Sequence, residues 1–142
     1  MKALDTNVLV RFLVNDDQIQ ADCSRRRLRQ AEDRAEILWV PLAVVLETIW
    51  VLDSAYGFSR QDIIKALNSL VQMPILAFES PQAVHAFLDR AAIDAVDLAD
   101  LLVGICAKQS GCETVLTFDK KAAKTPLFEN LLQEIELDSD LK

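Results

Sequence analysis

Short apolar runs alternate along the chain with longer stretches whose apolar residues recur at helical spacing, and turn-forming residues separate the two. Residues 2–5 read as a strand, and Thr6 to Val14 as a short helix with Val8, Leu9, Phe12 and Leu13 on one face. Asn15-Asp16-Asp17 signals a turn and a helix start, and residues 17–34 continue as a polar, arginine-rich helix. Ile37 to Val40, ended by Pro41, suits a buried strand. Leu42 to Ser54 is too long and too apolar for a strand and reads as a buried helix ending near Gly57. Ser59 caps a helix over 60–72 whose core face carries Ile63, Ile64, Leu67, Leu70 and Val71. Ile75 to Phe78 is a third strand, and Ser80-Pro81 supplies the cap and first position of a helix running to about Ala92. Asp97 to Gln109 forms a further helix closed by Gly111, and Glu113 to Thr117 a fourth strand. Thr125-Pro126 starts a last short helix near Phe128 to Leu132.

Strands separated by helices predict an α/β fold, a mainly parallel sheet with helices on both faces. The 142 residues contain no linker, repeat or low-complexity stretch, so one domain is expected over 1–142, with residues 133–142 as an acidic C-terminal tail. Although 51% of residues are hydrophobic, no run approaches the roughly 18 apolar residues of a membrane span, and a soluble protein is expected. Asp5 arrives before any secretory h-region could form, which points to a cytoplasmic location.

In parallel sheets functional groups collect beyond the carboxyl ends of the strands, where Asp5 and Asp119 both fall. Taken singly, Asp5-Thr6-Asn7 also suits an Asx turn or helix cap, and Asp119 before Lys120 suits a turn. Glu47 lies in a helix that is apolar in nearly every direction, so it is expected to be buried. A buried carboxylate must protonate, pair with a cation such as Arg11, or bind a metal; the alternative is that Glu47 lies at an exposed helix edge. Asp97 and Asp100 share a helix face, Asp97 as a cap or outer member and Asp100 turned to the site. The acids converge on one chemistry, since several gathered carboxylates are tenable around a hard cation, Mg²⁺ or Mn²⁺.

Other constellations fail. The chain has neither GxGxxG nor GxxxxGK[ST], and His85 is its one histidine, which removes phosphate-cradle and histidine-based nucleophilic readings. Cys23, Cys106 and Cys112 lack CxxC spacing and read as reduced thiols. The net charge of −7 is unfavourable for nucleic acid, but residues 129–142 carry five acids against Lys142, a net −4, which leaves −3 for the rest. Lys120, Lys121 and Lys124 directly follow Asp119, while Arg25, Arg26, Arg27, Arg29 and Arg34 crowd a segment that could equally be a solvated helix face.

Leu4-Asp5-Thr6-Asn7-Val8-Leu9-Val10, Glu47 in its apolar helix, Asp97-Leu98-Ala99-Asp100-Leu101-Leu102 and Thr117-Phe118-Asp119 together resemble the PIN-domain family, specifically the VapC-type toxin ribonucleases. The resemblance implies a three-layer α/β/α domain with a central mainly parallel sheet. It implies a Mg²⁺-dependent endoribonuclease, the toxin of a type II toxin–antitoxin pair, with Asp5, Glu47, Asp100 and Asp119 as its site. Asp5 and Asp100 would bind the metal directly, and Glu47 and Asp119 directly or through water. Thr6, Asn7 and Thr117 match supporting polar positions, joined by Asp97; Lys120, Lys121, Lys124 and Arg11 are candidates for the RNA backbone. A cognate antitoxin and a homodimer are the implied partners. The alternatives are a non-catalytic RNA- or protein-interaction module and an Asp5-nucleophile phosphohydrolase, whose usual second Asp is here Asn7.

Overall fold

A short parallel sheet organises the amino-terminal part of the chain: β1 (Lys2–Ala3), β2 (Leu38–Val40) and β3 (Leu76–Phe78), in the order β1-β2-β3. Lys2 lies opposite Leu38, and Leu38 opposite Leu76. This computed structural model describes residues 1–133, so the expected acidic tail lies, beyond residue 133, outside the described residues. The chain divides into two compact units, Met1–Val84 and His85–Lys142.

In the first unit β1 is shorter than the apolar run suggests. Leu4 still donates its N–H to the Trp39 carbonyl at 2.9 Å, but Asp5 leaves the ladder to cap α1 (Thr6–Leu13). The helices α2 (Gln18–Arg34), α3 (Leu42–Ser54) and α4 (Arg60–Val71) follow, and α5 (Pro81–Ala91) runs across the division between the units. Asp17 caps α2 by accepting the Gln20 N–H, and Ser59 caps α4 by accepting the Asp62 N–H, as the sequence predicts. Leu9, Leu38, Val40, Val45, Leu52, Ile63, Leu67 and Leu70 are buried, each contributing about 1.5–3 kcal/mol of transfer free energy.

The second unit holds α6 (Leu98–Gln109), β4 (Val115–Thr117), a 3-10 turn (Ala122–Lys124) and β5 (Phe128–Asn130), with β4 and β5 parallel. Gly111, at φ +89°, follows α6, and Cys112 donates its N–H back to the Ala107 carbonyl at 3.0 Å, which closes the helix as expected. The helix expected near Phe128 to Leu132 is instead a strand over its first residues, and the chain turns helical only at 131–133. Two causes are visible. Thr125 uses its hydroxyl in a local turn, accepting the Leu127 N–H at 3.3 Å. Gly104 presents no side chain to the strand: a Cβ there would sit 3.0 Å from Phe128 and 3.1 Å from Leu127, so α6 and β5 approach closely because position 104 is glycine.

Candidate active site

Asp5 owes its place to the strand end and the helix start. Its Oδ1 accepts the Thr6 N–H at 2.8 Å, and it lines a cleft of about 180 Å³ with Thr6, Asn7, Arg11, Glu47 and Tyr56. The structure therefore brings Asp5 and Glu47 together at one cleft. Glu47 is exposed, not buried as its apolar helix suggests. Burial of apolar residues is a one-way rule, and the outward stripe of α3 is Ala43, Glu47, Trp50 and Ser54, with Trp50 63% exposed. The helix has a wet face after all, on which Glu47 and Ser54 sit beside the apolar Ala43 and Trp50. Thr6 is buried, and its Oγ1 finds no hydrogen-bond partner among the described residues.

Arg11 does not serve as the partner of Glu47. Its Nη1 donates to both Asp16 oxygens, at 2.8 and 2.9 Å, and to the Tyr56 hydroxyl at 2.8 Å, while Nε donates to Gln20 at 2.7 Å. Tyr56 in turn donates its O–H to Asp16 Oδ2 at 2.8 Å. The Tyr56 hydrogen bond, with the Arg11 guanidinium beside it, holds the Asp16 carboxyl below its ordinary value, and bonding to Asp16 pushes the Tyr56 phenol up. Tyr56 and Asp16 escaped sequence reasoning as members of this neighbourhood. Asp16 reads there as a turn residue, and nothing local ties it to a tyrosine 40 residues away.

In the second unit Asp97 caps α6, its Oδ1 accepting the Ala99 N–H at 3.0 Å and the Asp100 N–H at 3.3 Å. Asp100 thus stands in the first turn, where the helix dipole favours its charge. Asp119 is fixed from both sides: Thr117 Oγ1 accepts its N–H at 3.0 Å, and its Oδ1 accepts the N–H groups of Lys121 and Ala122 at 2.8 and 3.2 Å. Asp94, Asp97, Asp100, Asp119, Lys121 and Lys124 line one cleft of about 370 Å³. Partial burial raises the Asp100 pKa, and the charges of Asp97 and Asp119 add to the rise. Asp94, which pairs with Arg90 at 3.3 Å and accepts the Val96 N–H at 3.2 Å, was not foreseen. It lies ahead of α6, outside the helical spacing that relates Asp97 to Asp100.

Neither cleft is lined by a thiol or an imidazole, so each offers the oxygen donors of a hard cation. The orphaned Thr6 hydroxyl and the mutual repulsion at Asp100 both fit a cation's arrival. Among the described residues no three His, Cys, Asp or Glu side chains are drawn close enough to hold one. Asp5, Asp97 and Asp119 each spend one oxygen on backbone N–H groups.

The PIN domain family profile matches residues 2–127, a span that includes every acid lining the two clefts. Over 124 residues the chain is 23% identical to a protein named VapC ribonuclease from Aquifex aeolicus (strain VF5), an alignment covering 87% of this chain and 91% of that protein. No helix among the described residues is long and apolar enough to cross a membrane. With helices interleaved among parallel strands and a family match over nearly its whole length, this chain belongs to the PIN-domain family.

Proposed function

We propose that the protein is a Mg²⁺- or Mn²⁺-dependent endoribonuclease that hydrolyses RNA phosphodiester bonds and acts as the toxin of a type II toxin–antitoxin pair. The observation that carries this reading is the acid cleft of the second unit, where the charge of Asp100 is disfavoured by Asp97 and Asp119 and would be restored by a cation. The likeness to a VapC ribonuclease supplies the substrate class. Asp5 and Asp100 would hold the cation, with Glu47 and Asp119 contacting it directly or through water.

When bound, a divalent cation activates water and neutralises charge developing on a phosphoryl group. The chain's own residues orient the rest. Asp97 fixes the first turn of α6 and so aims Asp100. Asp119, clamped through Oδ1, has Oδ2 without a partner among the described residues and available to orient an attacking water. Glu47 makes no ion pair among the described residues and lines the cleft beside Asp5. Lys121 and Lys124 line the acid cleft and would hold the RNA backbone against it. Arg11, largely committed to Asp16, Gln20 and Tyr56, serves chiefly to brace the cleft of Asp5.

An antitoxin protein would silence the enzyme, and a homodimer in the cytoplasm is the form in which we expect it to act. Incubating the purified protein with total tRNA and rRNA plus Mg²⁺, beside an Asp5→Ala control, tests the proposal. Discrete fragments with the wild type alone support it, and intact RNA in both lanes refutes it. The exposure of Glu47 favours one rival, a non-catalytic interaction module, because helix and turn capping then accounts for Asp5, Asp97 and Asp119 without a metal. Mn²⁺ calorimetry separates the two, since that module releases no heat of binding.

A further inference from the structure

A second cleft in the carboxy-terminal unit, of about 510 Å³, is lined by Lys120, Ala123, Lys124, Asn130, Leu132 and Gln133. It shares Lys124 with the acid cleft, yet among the described residues no carboxylate lines it. Lys120 and Lys124 are exposed and enter no ion pair among the described residues. The pairing of Thr117 with Asn130 sets Asn130 at the same carboxyl end of the β4–β5 pair from which Asp119 emerges. Asn130 Oδ1 already accepts the Leu132 N–H at 3.0 Å, so the carboxamide has its N–H donors left to offer. Leu132, 48% exposed, adds an apolar surface.

Two ammonium groups and an amide donor beside an apolar wall suit a ligand that is rich in acceptors and carries a flat apolar part. A nucleotide is such a ligand. We propose that this donor-lined cleft is an RNA subsite that grips the phosphate and base of a nucleotide next to the bond cut at the acid cleft. The inference rests on the ribonuclease reading and deepens it: Lys124, on the wall common to both clefts, would touch the backbone where the strand passes from one to the other.

Binding of a short mixed-sequence single-stranded oligoribonucleotide, followed by fluorescence anisotropy in the Asp100→Asn background with Mg²⁺ across a salt series, tests it. Lys120→Gln with Lys124→Gln should flatten the slope of log K against log salt by about 0.7 for each phosphate that a lysine no longer neutralises. Lys65→Gln with Lys108→Gln makes the same change of net charge at exposed positions that line none of these clefts, and should leave the slope near that of the parent. Asn130→Asp keeps the acceptor for Leu132 while replacing the donor by a negative charge, and should weaken binding about tenfold. Equal slopes for the two lysine pairs, or unchanged affinity in Asn130→Asp, overturn the subsite. If the wild type nevertheless cleaves RNA, the ribonuclease reading stands without it; if the wild type neither binds nor cleaves RNA, both fall.

Discussion

The two acid-bearing clefts treat charge in opposite ways. Beside Asp5 and Glu47, Arg11 and Tyr56 neutralise and hydrogen-bond Asp16, while Asp5 and Glu47 themselves enter no ion pair among the described residues. Around Asp100 there is no such balance: the carboxylate is partly desolvated, and Asp97 and Asp119 push its pKa further up. Lys121 and Lys124 line that cleft, but neither forms an ion pair with its acids among the described residues. The first cleft stands beside an ion-paired network that leaves its own acids unpaired, whereas in the second the acids themselves repel one another at Asp100.

If both clefts serve a single reaction, losing an acid from either should be equally damaging. Asp5→Asn and Asp100→Asn are each expected to lower the rate of Mg²⁺-dependent RNA cleavage at least about a hundredfold, the scale on which single electrostatic groups act in catalysis. Side-by-side cleavage rates on one RNA check this. Wild-type-like cutting by one of the two variants would restrict the chemistry to the other cleft.

Stability should separate the clefts where activity does not. With metal chelated at neutral pH, Asp100→Asn is expected to melt higher than the wild type, since it removes a charge that folding disfavours. The sign follows from linkage: a carboxyl whose folded pKa is raised binds its proton more tightly in the native state. Its penalty is full at pH values above the folded pKa and disappears as the pH falls to the unfolded value, so the advantage of Asn should vanish in acid. Asp5→Ala, by contrast, removes the acceptor of the Thr6 N–H and should cost about 1 kcal/mol, as the removal of a helix cap does. Thermal melts across pH measure both. A lower melting point for Asp100→Asn would remove the idea of an uncompensated second cleft.

Most of the elements were legible because each is locally self-consistent. The Asp17 and Ser59 caps and the glycine after α6 mark boundaries through interactions among near neighbours in sequence. β5 was not legible, because it depends on Gly104 leaving room for Leu127 and Phe128, an approach between segments more than 20 residues apart. Asp5, Asp97, Asp100 and Asp119 were legible from residue type and position at strand and helix ends, whereas Asp94 was not. The exposure of Glu47 was not, since an apolar sequence does not reveal which of its apolar residues the fold leaves in water. Asp16 and Tyr56 stayed hidden for the reason that hid β5: a long-range partner.

The smallest effect expected is also the one that most directly probes the bracing of the first cleft. Tyr56→Phe removes one hydroxyl that donates to Asp16 and accepts from Arg11, but it leaves the Arg11–Asp16 ion pair at 2.8 Å in place. Because the ion pair is solvent-exposed, its remaining strength is screened, and the loss should be smaller than that of Asp5→Ala. Its pH dependence should run opposite to that of Asp100. A carboxyl whose folded pKa is lowered stabilises the native state at pH values above its unfolded value, near 3.8, and this contribution fades as the pH falls through the folded pKa. The Tyr56 hydrogen bond is the largest cause of that lowering, so Tyr56→Phe should narrow the difference in melting temperature between Asp16 and Asp16→Asn at neutral pH and leave it unchanged in strong acid. A double-mutant cycle on these two positions, with no coupling at neutral pH, would mean that the hydroxyl merely fills space and that the Arg11 ion pair alone braces the wall of the first cleft.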